Sequence, residues 1–321
     1  MWGLNTNCIV LRMPTIVTIT FSPCIDKSTS VDALVPEKKL RCAPPKLDPG
    51  GGGVNVARAI HKLGGEALAI FPSGGYTGKH FNALLEKENI PSYIIETKNE
   101  TRENIIVVDD STAKQYRFGM PGTELAPDEW QNCLDAVDRM DSLDFIVASG
   151  SLPPGVPLDI YAKLAVIAKK KNAKLVVDTS GEALRHAASE GVFLLKPNLG
   201  ELASLMGLER IEENELEALG KRFIRSGHCE ILVISLGAAG AILISADQVC
   251  RAAPPKVEAK SVVGAGDSMV AGMVLALSRR MELKDVLEFG VACGTAATIN
   301  PGTDLCNPDD VNMLLKKMRD E

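Results

Sequence analysis

The sequence predicts an α/β protein with a mainly parallel central sheet, because short runs rich in Val and Ile alternate with longer segments of helical period. Strands that are buried on both faces form continuous apolar runs of this kind, since helices cover the sheet on either side. A second composition shift, over residues 29–48 and 104–118, predicts a small β-sheet that forms a lid on the main body.

The individual elements follow from these patterns. Strand-like runs occur at residues 16–19, 67–71, 145–148, 175–177, 193–195, 231–234, 241–244 and 248–252. Segments of helical period occur at residues 54–63, 127–139, 158–171, 215–226, 267–279, 283–298 and 309–318. We therefore expect one domain over residues 13–321 with the lid segments inserted, preceded by an extension, residues 1–12, that we expect to be disordered.

Charge and cysteine usage exclude several classes of protein. The 321 residues contain 35 Lys and Arg against 41 Asp and Glu, so the net charge is −6, and there is no basic stripe of the kind that binds a nucleic-acid polymer. The eight cysteines include no CxxC pair, and the four histidines form no HExxH motif, so no zinc site is indicated. The first residues resemble neither a signal peptide nor a membrane span, so we expect a cytoplasmic protein with no membrane partner.

Two familiar nucleotide motifs can be rejected. The segment 73–80 ends in Gly78-Lys79, but a P-loop would need Gly where Ser73 stands and Ser or Thr where His80 stands. The glycines at 50–53 do not complete a dinucleotide-binding motif, because its sixth position is Asn55. A dehydrogenase is therefore not favoured.

The four glycines at 50–53 open a helical segment and favour a binding site. Glycines allow a ligand to approach the backbone amides, and the Asn55 amide can both donate to and accept from a hydroxyl group. The alternative is a flexible loop with a helix cap. A cap alone does not require four successive glycines, which cost conformational entropy.

The segment 263–268 favours phosphate chemistry. Gly264 and Gly266 let phosphate oxygens reach the free amides at the start of a helix. Asp267 can cap that helix or act as a general base that takes a proton from an attacking hydroxyl. A cap would not need the two flanking glycines.

Together, the Gly-Gly-x-Asn and Gly-Ala-Gly-Asp segments resemble the two signatures of the PfkB/ribokinase family of sugar kinases, and in particular its phosphofructokinase-like members. The resemblance extends from about residue 15 to residue 307. Further matching stretches lie at residues 39–42, 101–104, 115–118, 149–155, 180–184, 196–198 and 302–306. The resemblance implies a ribokinase-like three-layer α/β/α sandwich with a small β-sheet lid.

The resemblance also implies a sugar-phosphate site. Contacts to sugar hydroxyls are implied for Asp26, Gly51, Gly52 and Asn55, while Ser151 would line the pocket. The resemblance also implies that Arg102 binds the sugar phosphate and that Lys39 and Arg41 of the lid add positive charge near it. For every sugar-site residue named here, the alternative is that it is an ordinary loop or surface residue.

On the nucleotide side, the resemblance implies that Glu201 of an NxxE motif organises Mg²⁺ through water. The alternative is a helix capped by Asn198, with Glu201 completing a capping box. Asp267 would be the general base, with Gly264, Ala265 and Gly266 supplying amides to the γ-phosphoryl group. The implied nucleotide contacts are Lys196, Asn198, Ser235, Gly237, Gly240, Gly264 and Gly266.

The sequence departs from the family pattern near the second signature. Many members have Asp-Thr before Gly-Ala-Gly-Asp, where the Asp helps to hold a monovalent cation, but this chain has Ser261, Val262 and Val263. A potassium site would then depend on Ser261 and Val263, through carbonyl groups. Asp304 stands where a basic residue is expected.

We therefore expect ATP-dependent phosphorylation of fructose 6-phosphate at O1 by an enzyme that uses ATP and Mg²⁺ and that forms a homodimer through the lid. Potassium is a further cofactor only if Ser261 and Val263 supply a site for it. Tagatose 6-phosphate and fructose 1-phosphate are alternative acceptors within the family. A sugar-phosphate sensor without catalysis is the alternative from a different class, although it would need neither Asp267 nor Glu201.

Overall fold

The computed structural model describes residues 15–300 and 302–320, so the extension predicted at residues 1–12 lies outside the described residues. The strands are β1 (Ile16–Ile19), β2 (Cys24–Val31), β3 (Lys46–Gly50), β4 (Leu68–Gly74), β5 (Ser92–Thr97), β6 (Arg102–Asp109), β7 (Lys114–Phe118), β8 (Phe145–Ser149), β9 (Lys174–Asp178), β10 (Val192–Leu195), β11 (Cys229–Ser235), β12 (Ala241–Ile244) and β13 (Val249–Ala252). The helices are α1 (Gly52–Lys62), α2 (Gly75–Lys87), α3 (Pro127–Asp138), α4 (Ile160–Lys171), α5 (Gly181–Glu190), α6 (Leu199–Leu205), α7 (Leu216–Arg225), α8 (Ala265–Ser278), α9 (Leu283–Thr298) and α10 (Pro308–Asp320).

The central sheet has the strand order β13-β12-β11-β10-β9-β8-β1-β4-β5. Its strands are parallel from β11 to β5, whereas β12 and β13 are antiparallel to their neighbours. The prediction of a mainly parallel sheet is therefore confirmed. After β1 the chain first adds β4 and β5 on one side and then places β8 on the other, so the winding reverses between β1 and β8.

Helices cover both faces of this sheet and create two hydrophobic cores. On one face α1, α2, α8, α9 and α10 contribute buried residues such as Phe81, Val270 and Leu287 to one cluster. On the other face α3 to α7 contribute residues such as Tyr161 and Phe223 to a second cluster. This arrangement is the expected three-layer sandwich.

A separate four-stranded sheet has the order β3-β2-β6-β7. It joins the two stretches that the composition shift marked, with β2 parallel to β6 and two antiparallel outer pairings. The parallel register places Asp26 opposite Asn104. Two strands begin before the predicted stretches, at Cys24 and Arg102, and residues 32–45 connect β2 to β3 without regular structure.

The sequence patterns did not predict α2, β5, α5 or α6. Strand β5 lies at the edge of the sheet and only Ile95 within it is buried, so it forms no continuous apolar run. Helix α6 has only seven residues, too few for a helical period to be recognised.

Candidate active site

The candidate site lies at the carboxyl edge of the central sheet, next to the point where the winding reverses. Ligands of doubly wound proteins bind at this place, because the loops leave the sheet in opposite directions there. Ser149 ends β8, Asp178 ends β9 and Ser235 ends β11, so their side chains or amides reach the same edge. Asp267 faces them from the first turn of α8.

The start of α8 offers free backbone amides. Gly264 caps the helix with φ 74°, and a Cβ at this position would lie 2.7 Å from a methyl carbon of Leu305. Among the described residues, no acceptor is found for the amides of Ala265, Gly266 and Asp267. Together with the helix dipole, these amides form a site suited to a phosphoryl group.

The carboxylate of Asp267 is half-buried and held by two hydrogen bonds. The Asn55 Nδ2 donates to its Oδ2 at 2.9 Å, and the Ser149 hydroxyl donates to its Oδ1 at 3.3 Å. Burial raises the pKa of Asp267 to about 6, and the nearby Asp178 carboxylate adds to this, whereas Asn55, Lys196 and Ser149 lower it. Asp267 is therefore mostly ionised at neutral pH, yet basic enough to accept a proton.

Lys196 and Asp178 form a buried ion pair beside this carboxylate, with 3.1 Å between Nζ and Oδ1. Burial lowers the pKa of Lys196, but the Asp178 carboxylate together with those of Asp267 and Glu201 outweighs this and raises the pKa overall. A Cβ on Gly266 would lie 3.7 Å from the Lys196 Nζ, so the lysine reaches the start of α8. The sequence analysis did not single out Asp178, although its place at the carboxyl end of a strand could have indicated it.

The glycines at the start of α1 are required by close packing. A Cβ on Gly52 would lie 2.3 Å from the Ser149 hydroxyl, and one on Gly50 would lie 2.3 Å from Oδ2 of Asp26. Gly51 has φ 108°, which side-chain-bearing residues rarely adopt. The run therefore lets the loop lie directly against β8 and Asp26.

Asp26 and Arg102 are held next to each other by Asn104. The Asn104 Nδ2 donates to Asp26 at 2.9 Å, and its Oδ1 accepts from Arg102 at 3.4 Å. Arg102 also donates to the carbonyls of Met120 and Ser22, at 2.8 and 3.2 Å. No carboxylate pairs with Arg102 within the described part of the chain, so its charge is available to an anion.

Three predicted sugar-site residues are not joined to this cluster. Lys39 and Arg41 lie exposed in the connection between β2 and β3, and neither forms a hydrogen bond or an ion pair with the residues that the structure describes. Ser151 lies exposed two residues after the end of β8. Asn104 and Ser149, by contrast, belong to the cluster although the sequence analysis assigned them no role.

On the nucleotide side, Asn198 and Glu201 form the capping box that was the alternative interpretation. The Asn198 side chain accepts from the Glu201 amide, and the Glu201 Oε2 accepts from the Asn198 amide, both at 2.9 Å. The other carboxylate oxygen of Glu201 is not used by the cap. The amide of Ser235 bonds to the carbonyl of Pro197 at 3.0 Å, which brings the end of β11 beside this helix.

A tight turn follows Ser235. Gly237 has φ 62° and Gly240 has φ 89°, and a Cβ on Gly240 would lie 2.0 Å from the carbonyl oxygen of Ala252. The turn thus keeps backbone atoms at the surface of the nucleotide side, without bulky side chains.

The region around Ser261 links two loops. The Ser261 hydroxyl donates to the carbonyl of Gly302 at 2.6 Å and accepts from the amide of Val263 at 3.2 Å. Asp304, the unexpected acid, pairs with Lys46 of the small sheet, and Lys46 also lies 3.3 Å from Asp48.

Comparison with known proteins identifies the class of protein that this fold and site define. A family model described as pfkB family carbohydrate kinase matches residues 19–310, and the chain belongs to that family. The family resemblance seen in the sequence is thereby confirmed.

Three individual relatives are informative. The ATP-dependent 6-phosphofructokinase isozyme 2 of Escherichia coli (strain K12) is 43% identical over 303 residues, which cover 94% of this chain and 98% of the relative. The 1-phosphofructokinase of Bacillus subtilis (strain 168) is 30% identical, with 95% and 98% covered. A crystal structure of phosphofructokinase-2 from Escherichia coli in complex with potassium superposes with a TM-score of 0.92 at 42% identity and covers 96% of this chain and 100% of that one.

Two kinds of feature are absent from the described residues. None of the helices at 15–300 and 302–320 combines the length and apolar character needed to cross a membrane. Over the same residues, no group of three or more His, Cys, Asp or Glu side chains is arranged to hold a metal ion.

Proposed function

We propose that this chain transfers the γ-phosphoryl group of ATP to O1 of fructose 6-phosphate, which gives fructose 1,6-bisphosphate. The observation that carries this proposal is the position of Asp267, a carboxylate with its pKa raised to about 6, directly beside the free amides that begin α8. A base and an anion site in contact are what phosphoryl transfer to a hydroxyl group needs. The identity of 43% to a 6-phosphofructokinase, against 30% to a 1-phosphofructokinase, supports this acceptor.

The sugar phosphate is bound between α1 and the small sheet in this proposal. The Asp26 carboxylate accepts hydrogen bonds from sugar hydroxyls, and the side-chain amide of Asn55 can both donate to them and accept from them, beside the backbone of Gly51 and Gly52. Arg102 binds the 6-phosphate, because its guanidinium is anchored by carbonyls and has no carboxylate partner among the described residues. The exposed Ser151 lines the outer wall of the pocket.

Asp267 then accepts the proton of the O1 hydroxyl as that oxygen attacks the γ-phosphorus atom. The amides of Gly264, Ala265 and Gly266 hold the phosphoryl oxygens, where negative charge is stabilised in the transition state. Lys196 adds hydrogen-bond donors nearby, and its pairing with Asp178 keeps it in place.

ATP lies over the carboxyl ends of β10 and β11. We assign its contacts to Lys196, Asn198, Ser235, Gly237 and Gly240, which surround the capped start of α6 and the tight turn after β11. One oxygen of Glu201 remains after helix capping, which fits an indirect, water-mediated contact to Mg²⁺. Bound Mg²⁺ would neutralise the phosphate oxygens of the nucleotide.

A monovalent cation fits the loop at Ser261. This hydroxyl draws the loop at 261–263 against the carbonyl of Gly302, so carbonyl groups of Ser261 and Val263 can serve as ligands without the aspartate found in many family members. The related Escherichia coli enzyme was crystallised with potassium. Turnover in potassium chloride should exceed turnover in tetramethylammonium chloride at equal ionic strength. Equal rates in the two salts would contradict a potassium site at this loop.

We also propose that residues 13–321 form one kinase domain, that the segments at about 29–48 and 104–118 act as its lid, and that the lids of two copies meet in a homodimer. Ile105 and Phe118 are paired in register and are 37% and 49% exposed, beside the exposed Tyr116. An exposed apolar sheet face of this kind is typical of an interface. In such a dimer, Lys39 and Arg41 can approach the sugar phosphate across the interface.

The dimer is tested by the variant Phe118→Ser, with Leu158→Ser as a control because Leu158 is equally exposed but lies on the main body. Sedimentation should give monomers for Phe118→Ser and dimers for the control and the wild type. A monomeric or tetrameric wild type would contradict the dimer. Since ATP and sugar phosphates are metabolites of the cytoplasm, we place the protein there.

The proposed reaction is tested by comparing kcat/KM for fructose 6-phosphate, tagatose 6-phosphate and fructose 1-phosphate, with ATP as donor. We expect the highest value for fructose 6-phosphate. A higher kcat/KM for either of the other two sugar phosphates would show that this sugar phosphate is the preferred acceptor, and the proposed phosphoryl transfer would still hold. If no acceptor stimulates the formation of ADP, the chain is a sensor and not a kinase.

A further inference from the structure

Arg58 is a buried charged residue for which the reaction described above has no use. It lies on α1, three residues after Asn55, and only 3% of its surface is exposed. Burying a guanidinium group is costly unless every part of it is paired. Its position behind the reacting groups calls for a physical explanation.

We propose that Arg58 is a positioning residue that fixes the side-chain amide of Asn55 with its nitrogen directed at Asp267. The proposal rests on the role of Asp267 as the general base. It assigns to Arg58 no contact with the substrate or the nucleotide.

The guanidinium group of Arg58 is itself rigidly held. Its Nε and Nη2 donate to the two carboxylate oxygens of Glu88 at 2.7 and 2.6 Å, and its Nη1 donates to the carbonyl of Pro49 at 2.7 Å. Asp48 adds a carboxylate at 3.8 Å. A bidentate pair of this kind fixes both the place and the plane of the group. Arg58 therefore connects the end of α2, the end of β3 and the start of α1.

The two ends of the Asn55 amide face groups of opposite charge. Its Oδ1 lies 3.5 Å from the Arg58 Nη1, and its Nδ2 lies 2.9 Å from the Asp267 Oδ2. The first contact is long, so its main effect is electrostatic: the cation favours the oxygen and disfavours the NH₂ group. Rotating the amide by half a turn would place an oxygen against the Asp267 carboxylate and an NH₂ group against the guanidinium.

This orientation controls the proton affinity of the base. The Asn55 hydrogen bond lowers the pKa of Asp267 and thereby opposes the effect of burial. The other charged and titratable groups that act on Asp267 are Lys196, which lowers its pKa, and Asp178, which raises it; the buried thiol of Cys24 also lies within electrostatic range. None of these groups contacts Arg58 among the described residues, so a change at Arg58 reaches Asp267 through Asn55.

The test uses the full-length enzyme and the pH dependence of kcat/KM for fructose 6-phosphate. The variant Arg58→Met keeps an unbranched, flexible side chain but removes the charge and the donors, and Arg58→Lys keeps a cation with fewer donors. In the wild type, kcat/KM should fall to half of its maximum near pH 6 on the acidic side of the profile, which we call the acidic limb. Arg58→Met should move it upward by about 0.5 to 1 pH unit, the equivalent of one hydrogen bond, and Arg58→Lys should move it less.

A merely structural role for Arg58 is excluded by two comparisons. Leu85→Ala destabilises the same part of the molecule, one turn before Glu88 in the chain, and should leave the acidic limb at its wild-type position. In an Asn55→Ala background, Arg58→Met should cause no further shift, because the two residues act in series. If Arg58→Met does not fold, Glu88→Gln, which weakens the guanidinium's anchor, should shift the limb in the same direction.

The possible outcomes separate this inference from the proposed function. An unchanged acidic limb in all folded Arg58 and Glu88 variants, or equal shifts with and without Asn55, would overturn the positioning role alone. A wild-type enzyme with no acidic limb, or with full turnover in Asp267→Asn, would instead overturn the base on which the inference rests.

Discussion

Replacing Asp267 by Asn is expected to reduce turnover and, at the same time, to stabilise the fold. The first effect follows from losing the general base, a contribution that is typically worth about 10²- to 10⁴-fold in rate. The second follows from burial, because the folded protein holds an ionised carboxylate in a place that favours the neutral acid. If the activity were lost through misfolding, the variant would instead be less stable than the wild type.

The size of the stabilisation follows from the raised pKa. The value of about 6 lies roughly two pH units above the ordinary 3.8 of an aspartate, which corresponds to about 3 kcal/mol against the ionised form. This figure already includes the attraction of Lys196, and Asn keeps an oxygen that can accept from Asn55, but its NH₂ group replaces the oxygen that accepts from the Ser149 hydroxyl. We therefore expect a net gain of about 1 to 2 kcal/mol in the free energy of unfolding at pH 8.

The sign of the pH dependence provides a second check. An acid whose pKa is raised in the folded state destabilises the fold fully above the folded pKa, here about 6, and not at all below the unfolded pKa near 3.8. The cost of ionising Asp267 falls from about 3 kcal/mol at pH 8 to about 1.6 kcal/mol at pH 5, so the advantage of the Asn variant should fall by about 1.4 kcal/mol and largely disappear at pH 5. Urea unfolding at both pH values, without substrates, measures this difference.

Asp138 offers a control, because its side chain is 38% exposed on α3 and its ion pairs among the described residues are with Lys170 and Lys171. Asp138→Asn should change stability by less than about 0.5 kcal/mol at either pH. If Asp267→Asn is less stable than wild type at pH 8, or if its advantage does not shrink at pH 5, the burial argument is wrong.

Two further predictions concern the substrate cluster and its glycines. Arg102→Ala should raise the KM for fructose 6-phosphate far more than the KM for ATP. The surface variant Arg139→Ala, as a control, should change neither KM. Equal effects of Arg102→Ala on both KM values would refute the assignment of the sugar phosphate to Arg102. Gly52→Ala should lower the free energy of unfolding, measured in urea, by about 1 to 3 kcal/mol, because the new Cβ would collide with Ser149. Gly119→Ala is the control, because there is open space around Gly119. Equal stability of the two variants would contradict the packing argument.

The fold could be predicted where burial leaves its mark on the sequence. Strand β8 is buried along its whole length and appears as an uninterrupted apolar run, and β1 was predicted with its bounds unchanged. Strand β5 could not be found in this way, since it is mostly exposed at the sheet edge. Helix α5 was missed although its start, Ser180-Gly181, lay within a stretch that matched the family.

The site could be predicted where its residues stand close together in the chain. The glycines before Asn55 and Asp267 form recognisable motifs for this reason. The atoms for which they leave room, such as the Ser149 hydroxyl and a methyl group of Leu305, nevertheless come from distant segments. The partners of these residues could not be found from motifs, because they come from distant segments: Ser149 lies 118 residues before Asp267 in the chain, and no local pattern marks it. Arg58 is three residues from Asn55, yet only the structure shows that the two are in contact.

An acidic chain can still attract two anionic substrates, because the local pairing of its cations matters more than the net charge. Lys196 is already balanced by Asp178, so it contributes donors and position more than free charge. Arg102 is held by neutral carbonyls and an amide and has no carboxylate partner among the described residues, so its charge is not already paired. The proposed sugar phosphate therefore depends chiefly on Arg102, whereas the nucleotide can rely on Mg²⁺ and helix amides. This difference explains why a variant at Arg102 should affect the two substrates unequally.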